Sequence, residues 1–411
     1  MSKTEWKEYE MSELIEEISM GPFGSNIKVE CFTDSGVPVL NGSNLVGFRL
    51  NEDSFNYVTE EKATSLGKAN AYRGDIVITH RGTLGQIVYI PQNSKYSRYV
   101  ISQSQFRVRC NEKVIPEYLV YYFHSRLGQH KLLSNASQVG VPSLARPTST
   151  FQKLTISIPP VAKQKEIVKI LSSLDDKIEL NNAINRNLEE QAQALFKNWL
   201  IDFEPFGGKM PENWKEATLG EVCLKITDGS HFSPQDNPSA PYPMFSVKDM
   251  ETYGFNPTNC KHISADDFEK MKAGDCVPKI DDVLVAKDGS YLKEIFICSE
   301  AREEAILSSI AIFRPNKSKI LPEILLFLLK HPSVRKDVGD NFVSGSALPR
   351  IVLKDFKKYR FILPSMQIQQ KLAKMLNSIR MEIHNNVDEN QRLSVLRDSL
   401  LPRLMSGELS C

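Results

Sequence analysis

Several features that would assign a class at once are absent from this sequence. No basic-then-apolar segment opens the chain, and the longest apolar run, residues 324–329, is too short to cross a bilayer. The seven cysteines include no Cys-x-x-Cys pair, so neither disulfides nor a zinc site are indicated. Cys260-Lys261-His262 is only a weak candidate for a metal. We therefore expect a cytoplasmic protein without a membrane segment.

Motifs of the common catalytic sites are also absent. The chain has no Gly-x-x-x-x-Gly-Lys-Ser/Thr loop, no His-Glu-x-x-His and no Gly-x-Ser-x-Gly. Methyl transfer to a base needs a polar-Pro-Pro-aromatic loop, and Ile158-Pro159-Pro160-Val161 supplies only the prolines. Asp282 and Lys287 approach a two-acid nuclease site, but Val285 stands where the second carboxylate is needed. The sequence predicts a non-catalytic chain that holds no cofactor or metal of its own.

The most informative feature that is present is a repeat. Segments of the first half recur in the second half in the same order, at offsets that shrink from 208 to 205 residues. The matched segments are Trp6-Lys7-Glu8 with Trp214-Lys215-Glu216, Asp75-Ile76-Val77-Ile78 with Asp282-Val283-Leu284-Val285, Pro116-Glu117-Tyr118-Leu119 with Pro322-Glu323-Ile324-Leu325, and Ile158-Pro159-Pro160 with Leu363-Pro364-Ser365. A collinear two-fold repeat predicts a two-fold target.

Each copy has the pattern of a small α+β domain. Short β-rich runs such as residues 75–79 and 105–109 are bounded by Gly, Pro, Asn or Ser, and Pro116 or Pro322 then opens a helix. A long stretch free of Pro and Gly follows each copy, with apolar residues at three- and four-residue steps. The predicted segments are two domains, residues 1–160 and 205–365, and two long helices, residues 161–204 and 366–411.

The apolar seam of each predicted helix, which includes Ile184 and Leu396, is interrupted by polar residues at one matched place. They are Asn181 and Asn185 in the first helix and Asn386 and Asn390 in the second. Paired polar positions in such a seam usually fix register at a cost in stability. We therefore predict that the two helices pack against each other as an antiparallel pair. The alternative is that each helix packs on its own domain.

A net charge of +1 conceals a segregation of charge along the chain. Residues 62–160 hold thirteen basic and three acidic side chains, whereas residues 1–61 hold four and twelve. The second copy repeats this order, with eleven basic and four acidic side chains in residues 305–365 against eleven and eighteen in residues 205–304. The pattern predicts positive faces that suit a polyanion, unless folding mixes the charges.

Polar loops at matched positions supply candidate contacts to nucleic acid, because their side chains suit base edges or phosphates. The loop after one strand of each copy offers His80, Arg81 and Thr83, and Lys287, Asp288 and Ser290. Further candidates are Gln103 and Ser309 before the next strand, and Arg146 and Arg350 before the closing strand. The alternatives are a solvated hairpin turn for each loop and a surface ion pair for each arginine.

Four segments carry a resemblance to a known family. They are Pro211-Glu212-Asn213-Trp214, Gly74-Asp75-Ile76-Val77-Ile78 with its Gly loop, residues 158–167 at the entry to the first helix, and residues 397–409. In this order, twice repeated, the chain resembles the specificity subunit of type I restriction-modification enzymes over essentially its whole length. One departure is that Pro364-Ser365, not Pro-Pro, enters the second helix.

The resemblance implies an α+β fold with two similar target recognition domains in a pseudo-two-fold arrangement, separated by two long antiparallel coiled-coil helices. Each domain would read half of a split double-stranded DNA sequence, and the helices would set the unread spacer and dock two methylation subunits. S-adenosylmethionine would belong to those subunits, and ATP and Mg²⁺ to partner subunits that include the restriction subunits. Base contacts vary among members, so the resemblance supports no individual loop residue.

Two interpretations of other classes stay open. One is an autonomous DNA methyltransferase or nuclease that is built on a recognition scaffold. The other is a helical adaptor that binds only protein.

Overall fold

The chain forms two units, each built around its own hydrophobic core. Unit 1 combines Met1–Ile178 with Gln391–Cys411, and unit 2 is Glu179–Asn390. The structure is a computed structural model that describes residues 6–137, 140–345 and 347–409. Within these ranges, no helix combines the length and the apolar character that a membrane span requires.

Unit 1 mixes strands and helices, as the sequence predicts. Its strands are β1 (Lys7–Glu10), β2 (Ile15–Met20), β3 (Val37–Val39), β4 (Asn56–Val58), β5 (Asn70–Tyr72), β6 (Ile76–Thr79), β7 (Ile87–Tyr89), β8 (Arg98–Val100), β9 (Gln105–Cys110), β10 (Ala136–Ser137), β11 (Ser143–Leu144) and β12 (Thr155–Ile158). Its helices are α1 (Glu60–Ser65), α2 (Pro116–His124), α3 (Arg126–Leu132) and α4 (Pro147–Gln152), after which α5 (Val161–Leu200) begins.

The second copy repeats these elements with small changes. Its strands are β13 (Lys215–Thr218), β14 (Cys223–Asp228), β15 (Tyr242–Phe245), β16 (Met250–Glu251), β17 (Gly254–Phe255), β18 (Lys261–Ile263), β19 (Val283–Ala286), β20 (Ile295–Ile297), β21 (Ala305–Ile306), β22 (Ile310–Pro315), β23 (Val343–Ser344), β24 (Arg350–Ile351) and β25 (Arg360–Leu363). Its helices are α6 (Leu219–Val222), α7 (Ala265–Ala273), α8 (Pro322–Lys330), α9 (Pro332–Asn341), α10 (Leu353–Phe356) and α11 (Met366–Met405). Pro116 and Pro322 open α2 and α8, where the missing N–H leaves no helical hydrogen bond unmade.

A four-stranded sheet is the centre of each unit. The strand order is β2-β9-β6-β7 in unit 1 and β14-β22-β19-β20 in unit 2. All neighbouring strands of both sheets are antiparallel. The first and last strands of each copy also pair, β1 with β12 and β13 with β25. A smaller sheet, β4-β3-β8-β5 in unit 1 and β18-β15-β21 in unit 2, completes each copy.

Strand β6 is buried on both of its faces. Ile76 and Ile78 pack into the main core of unit 1, while Val77 between them packs into a second core with Tyr99. Strand β19 divides its side chains between two cores in the same way. Because successive side chains of a strand point to opposite faces, a strand covered on both sides is apolar at every position. This explains the uninterrupted apolar runs after Asp75 and Asp282.

An ion pair with a buried carboxylate precedes this strand in both copies. The Asp75 carboxylate accepts hydrogen bonds from Arg109 Nε at 2.8 Å and Nη2 at 3.1 Å, and Asp282 accepts the same two bonds from Arg314, both at 2.8 Å. Each aspartate also accepts a backbone N–H of the turn before its strand. The hydrogen bonds that Arg314 donates to Asp282 raise the pKa of the Arg314 guanidinium. Asp282 is fully buried in this role.

A buried glutamine joins the start of each long helix to its domain. Gln164 Oε1 accepts the N–H of Ile115 at 2.9 Å, and its Nε2 donates to the carbonyl oxygens of Lys113 and Pro159. Gln369 makes the matching three hydrogen bonds in unit 2. The side-chain amide thus satisfies the backbone ahead of α2 or α8, and it fixes where the long helix leaves the domain.

Within unit 2, α5 and α11 lie side by side and run antiparallel, which confirms the predicted pairing there. Asn181 Nδ2 donates to Asn390 Oδ1 at 2.9 Å and to Glu389 Oε2 at 2.7 Å. One turn further along, Asn386 Nδ2 donates to Asn185 Oδ1 at 2.8 Å. Asn181, Asn185 and Asn386 are buried, so the polar break in the seam is a network of hydrogen bonds between the helices.

Within unit 1, the same two helices are joined by an ion pair. Arg397 Nη1 lies 2.8 Å from Asp175 Oδ1, and Tyr121 of α2 donates its hydroxyl to the other oxygen of that carboxylate. The division into units thus falls inside α5 and α11. The predicted limits at residues 160, 204 and 365 follow secondary structure instead of contacts, and they stay a prediction.

Two residues of the predicted apolar seam are exposed instead of buried. The exposed fraction is 38% for Ile184 and 46% for Leu396. Neighbouring positions on a helix are rotated by about 100°. Because Asn185 occupies the inward position, Ile184 beside it points away from the partner helix. The prediction that Ile184 belongs to the buried seam was wrong, because Asn185 occupies the inward-facing position beside it.

Removal of a buried carboxylate should destabilise unit 2. We expect Asp282→Ala to lower the free energy of unfolding by about 3 kcal/mol, because Arg314 loses its bidentate partner and retains only Asp275. Urea unfolding followed by tryptophan fluorescence measures the change. Asp355→Ala is the matched control, since Asp355 and its partner Lys358 are exposed and their pair contributes less than about 1 kcal/mol. Equal losses in both variants would contradict a structural role for Asp282.

Removal of one asparagine of a hydrogen-bonded pair should lower the stability of the protein. We expect Asn386→Ala to lower the free energy of unfolding by about 1–3 kcal/mol, because Asn185 is left buried without its donor. The double variant Asn185→Leu/Asn386→Leu should be at least as stable as the parent, since apolar residues suit a buried seam. The same urea titration tests both. A double variant less stable than Asn386→Ala argues against a register device.

Candidate nucleic-acid interface

The antiparallel order of each central sheet brings several loops to one end. In unit 1, β2 ends beside the start of β9, where Met20 pairs with Phe106, and β6 ends there too, where Thr79 pairs with Gln105. The loop end of unit 1, as we name it, consists of residues 21–26, 80–85 and 101–104. In unit 2 the matching loop end consists of residues 229–232, 287–292 and 307–309.

A further strand crosses the loop end of unit 1 and is held by backbone hydrogen bonds. His80 N donates to Ser104 O, Leu144 N to His80 O, and Gly82 N to Pro142 O, each at 2.9 Å. In unit 2 the same three bonds run from Lys287 to Ser309, from Ile351 to Lys287 and from Gly289 to Pro349, at 2.8–3.1 Å. Gly82 and Gly289 both have a positive φ, which a residue with a Cβ rarely adopts. The backbone of the loop end is thus duplicated.

The predicted contact residues of unit 1 are mostly exposed at this end. Arg81, Thr83 and Gln103 are exposed on the loop end, whereas His80 is half-buried with Nε2 3.1 Å from Gln103 O. Burial lowers the pKa of the His80 imidazole, and the contact with Gln103 O partly offsets this effect. Arg146 is exposed just before α4 with φ +46°, a left-handed conformation.

The predicted contact residues of unit 2 form a charged cluster. Lys287 is only 8% exposed, and its Nζ lies 3.1 Å from Asp228 Oδ2 and 3.3 Å from Asp288 Oδ1. Asp288 Oδ2 in turn lies 3.7 Å from Nε of Arg350, whose side chain is 58% exposed. Beside the cluster, Ser290 is exposed, and Ser309 Oγ accepts the N–H of Val247 at 3.0 Å.

Comparison with known proteins now adds to this geometry. The family model described as type I restriction modification DNA specificity domain matches residues 3–190 and again residues 211–393. The chain belongs to this family of specificity subunits. The double match also agrees with the duplication found in the sequence.

Two relatives and one solved structure illustrate the membership. The MjaIX type I restriction enzyme specificity subunit of Methanocaldococcus jannaschii is 27% identical over 374 residues, covering 86% of this chain and 81% of the relative. The HindI specificity subunit of Haemophilus influenzae is 26% identical over 403 residues, covering 82% and 87%. A crystal structure of a type I restriction-modification S subunit from M. genitalium has a TM-score of 0.55 at 16% identity and covers 97% and 96%. That likeness supports the fold.

A β-bridge between the loop and the crossing strand occurs at both loop ends of this specificity subunit. The exposed arginine lies on the loop side of the bridge in unit 1 and on the crossing strand in unit 2. In unit 1, Arg81 bridges Ser143 in antiparallel fashion, and in unit 2 Asp288 bridges Arg350. Arg350 therefore matches Ser143, and Arg146 lies three residues after Ser143.

Ser309 lies at the position of Ser104, within the segment of unit 1 that contains Gln103. Ser104 O accepts the N–H of His80, and Ser309 O accepts the N–H of Lys287. The two serines are therefore equivalent, and Gln103 lies one residue before Ser104. Asp228, which holds Lys287, was not among the predicted residues. The Gly-rich turn Thr227-Asp228-Gly229 was the available signal, because its counterpart lies at the loop end of unit 1.

Among the described residues, the specificity subunit has no cluster of three or more His, Cys, Asp or Glu side chains that could hold a metal. The carboxylate of Asp282 is occupied by Arg314 at the end of the sheet opposite to Lys287. The six cysteines that the structure describes are free.

The His80 imidazole should titrate below its ordinary pKa of about 6.5. Since burial favours the neutral form, the stability that His80 contributes is present above pH 6.5 and is lost as the pH falls through the lower folded value. NMR titration of the imidazole Cε1–H signal, assigned with a His80→Gln variant, measures it. A midpoint at or above 6.5 would contradict the burial of the ring.

Proposed function

We propose that this specificity subunit reads a bipartite double-stranded DNA target, with the loop end of each unit facing one half-site. The observation that carries the proposal is a duplicated backbone with different side chains at matched positions. His80, Arg81 and Ser143 stand in unit 1 where Lys287, Asp288 and Arg350 stand in unit 2. A constant frame with variable donors and acceptors suits two different base sequences.

The two loop ends offer different chemistry to DNA. Unit 1 presents Arg81 and the Gln103 amide, which suit guanine and adenine edges in the major groove. Unit 2 presents Arg350 steered by the carboxylate of Asp288, and carboxylates suit the amino group of cytosine. In unit 2, Asp228 and Asp288 also neutralise Lys287, so this lysine positions carboxylates instead of binding phosphate.

The long helices are proposed to dock two methylation subunits. Leu180, Ile184, Met375 and Met381 are exposed apolar side chains on α5 and α11 within unit 2. Exposed apolar side chains on long helices suit a partner protein. The length of the unread spacer, which the sequence assigned to these helices, stays a prediction.

The reaction chemistry is proposed to lie in partner subunits. The chain itself would be non-catalytic and would hold no cofactor. S-adenosylmethionine would be bound by the methylation subunits, and ATP and Mg²⁺ would be used by partner subunits when the restriction subunits join. We further propose that the complex acts in the cytoplasm, where its DNA substrate lies.

Genome-wide sequencing of modified adenines tests this function. In a host that carries this chain with its methylation subunits, we expect one bipartite sequence to be methylated and the signal to vanish when the gene for this chain is deleted. Unchanged methylation after deletion refutes the proposal. Methyl transfer or cleavage by the purified chain alone, given DNA, Mg²⁺ and a labelled methyl donor, favours the alternative of an autonomous enzyme.

Two arginine variants divide the labour between the units. Arg81→Ala should weaken recognition of one half-site only, and Arg350→Ala that of the other, each by roughly 1–3 kcal/mol if the contact is to a base. Binding to duplexes mutated in either half measures this. Arg360→Ala is the control, because Arg360 is also an exposed arginine but lies on β25, outside the loop end. Equal losses at both halves from either loop-end variant contradict one unit per half-site.

A further inference from the structure

Each loop end exposes a phenylalanine. Phe23 is 84% exposed and Phe232 is 58% exposed, and both follow the Gly-containing turn after the first strand of the central sheet. Large apolar side chains scattered singly on a surface need no explanation, but these two occupy corresponding loops of a duplicated fold. The repetition points to a shared role.

In unit 1 the loop that carries Phe23 is held against the segment that contains Gln103. Gly21 N donates to Gln105 O at 2.8 Å, and Asn26 N donates to Phe23 O, which closes a tight turn around the aromatic residue. An ideal Cβ at Gly24 would lie 2.1 Å from Gln103 Oε1, so the backbone of this loop lies directly against the Gln103 side chain. Phe23 therefore stands beside a side chain that is predicted to face DNA.

In unit 2 the loop that carries Phe232 is fastened in a comparable way. Ser230 N donates to Ile306 O and Ser308 N donates to Ser230 O, both at 2.9 Å. The Ser230 hydroxyl accepts the N–H of Phe232 at 3.1 Å and lies 2.8 Å from its carbonyl oxygen. The ring thus projects from a loop in which Ser230 is held by two backbone hydrogen bonds.

A second apolar side chain is exposed on the segment that crosses each loop end. It is Val141 in unit 1 and Leu348 in unit 2, each directly before the proline whose carbonyl oxygen accepts the N–H of Gly82 or Gly289. An arginine takes part in the β-bridge that begins two residues later, Arg81 opposite Ser143 in unit 1 and Arg350 opposite Asp288 in unit 2. Each loop end therefore combines a ring, an aliphatic side chain and a cation.

We propose that Phe23 and Phe232 act as apolar wedges that insert at a base step of their half-sites, and this rests on the proposed DNA-reading function. Arg81 and the Gln103 amide at the loop end of unit 1, and Arg350 at the loop end of unit 2, suit phosphates and base edges, which favours DNA over an apolar protein partner. Proteins that place Phe between base pairs unstack the step and kink the duplex. The wedge makes flexible pyrimidine–purine steps the preferred sites, so it adds recognition by deformability to hydrogen-bond readout.

The test uses the full chain with its methylation subunits and duplexes that carry its mapped target, with 2-aminopurine replacing single adenines. Binding should increase 2-aminopurine fluorescence at one step of each half-site. Phe23→Ala should abolish the increase in one half and weaken binding roughly 5- to 150-fold, the range for loss of one stacked base. Phe232→Ala should do the same in the other half. The slope of affinity against salt should not change, because no phosphate contact is lost.

The controls separate this inference from the function on which it rests. Leu224→Ala removes an exposed apolar side chain near the opposite end of the unit 2 sheet and should change neither signal nor affinity. Phe23→Leu should retain part of the fluorescence increase, since leucine can also act as a wedge. Target binding by the parent without any fluorescence change overturns the wedge and leaves the proposed function standing. Loss of affinity on replacing thymine by uracil, without unstacking, also overturns it in favour of a methyl contact. If the parent chain does not select the target at all, the DNA-reading function itself fails.

Discussion

Antiparallel pairing of one strand with two neighbours is the constraint on which each candidate interface depends. Because β9 runs against both β2 and β6, the ends of those strands and the start of β9 must meet at one end of the sheet. The loops that leave this end cannot be moved apart without breaking the sheet. The buried pair of Asp75 and Arg109 secures β6 against β9 from the other end, so a rigid frame carries variable loops.

The two copies share the same buried side-chain contacts but differ in the side chains that they expose at the loop ends. Asp75 with Arg109 and Gln164 with its three backbone partners recur in unit 2 with the same atoms and nearly the same distances. The two carboxylates and the two glutamine amides are buried, and the loss of one partner would leave a charge or an amide unsatisfied. At the loop ends only the backbone bonds recur. There the side chains meet solvent or a ligand, so they are free to differ between the units.

The two α+β copies, the proline-initiated helices and the paired asparagines could be predicted because each depends on local periodicity or on a repeat of the sequence. The surroundings of Lys287 could not, since Asp228 reaches it from a separate strand and no local pattern reports that contact. The equivalence of Arg350 to Ser143 could not be predicted for a related reason. The crossing strands are only two residues long, and backbone hydrogen bonds to the loop set their register. Spacing along the chain does not report such bonds.

The assignment of Gln391–Cys411 to unit 1 has a consequence for the order of assembly on the ribosome. Leu401, Leu404 and Met405 complete the same core as Ile76 and Phe106, yet they are translated after all of unit 2. Part of the apolar surface of the N-terminal copy therefore stays exposed while the rest of the chain is translated. Such uncovered surface is prone to aggregation and attracts chaperones. The core of unit 1 is therefore complete only after the C-terminal part of α11 has been translated, and not when the first domain has been made.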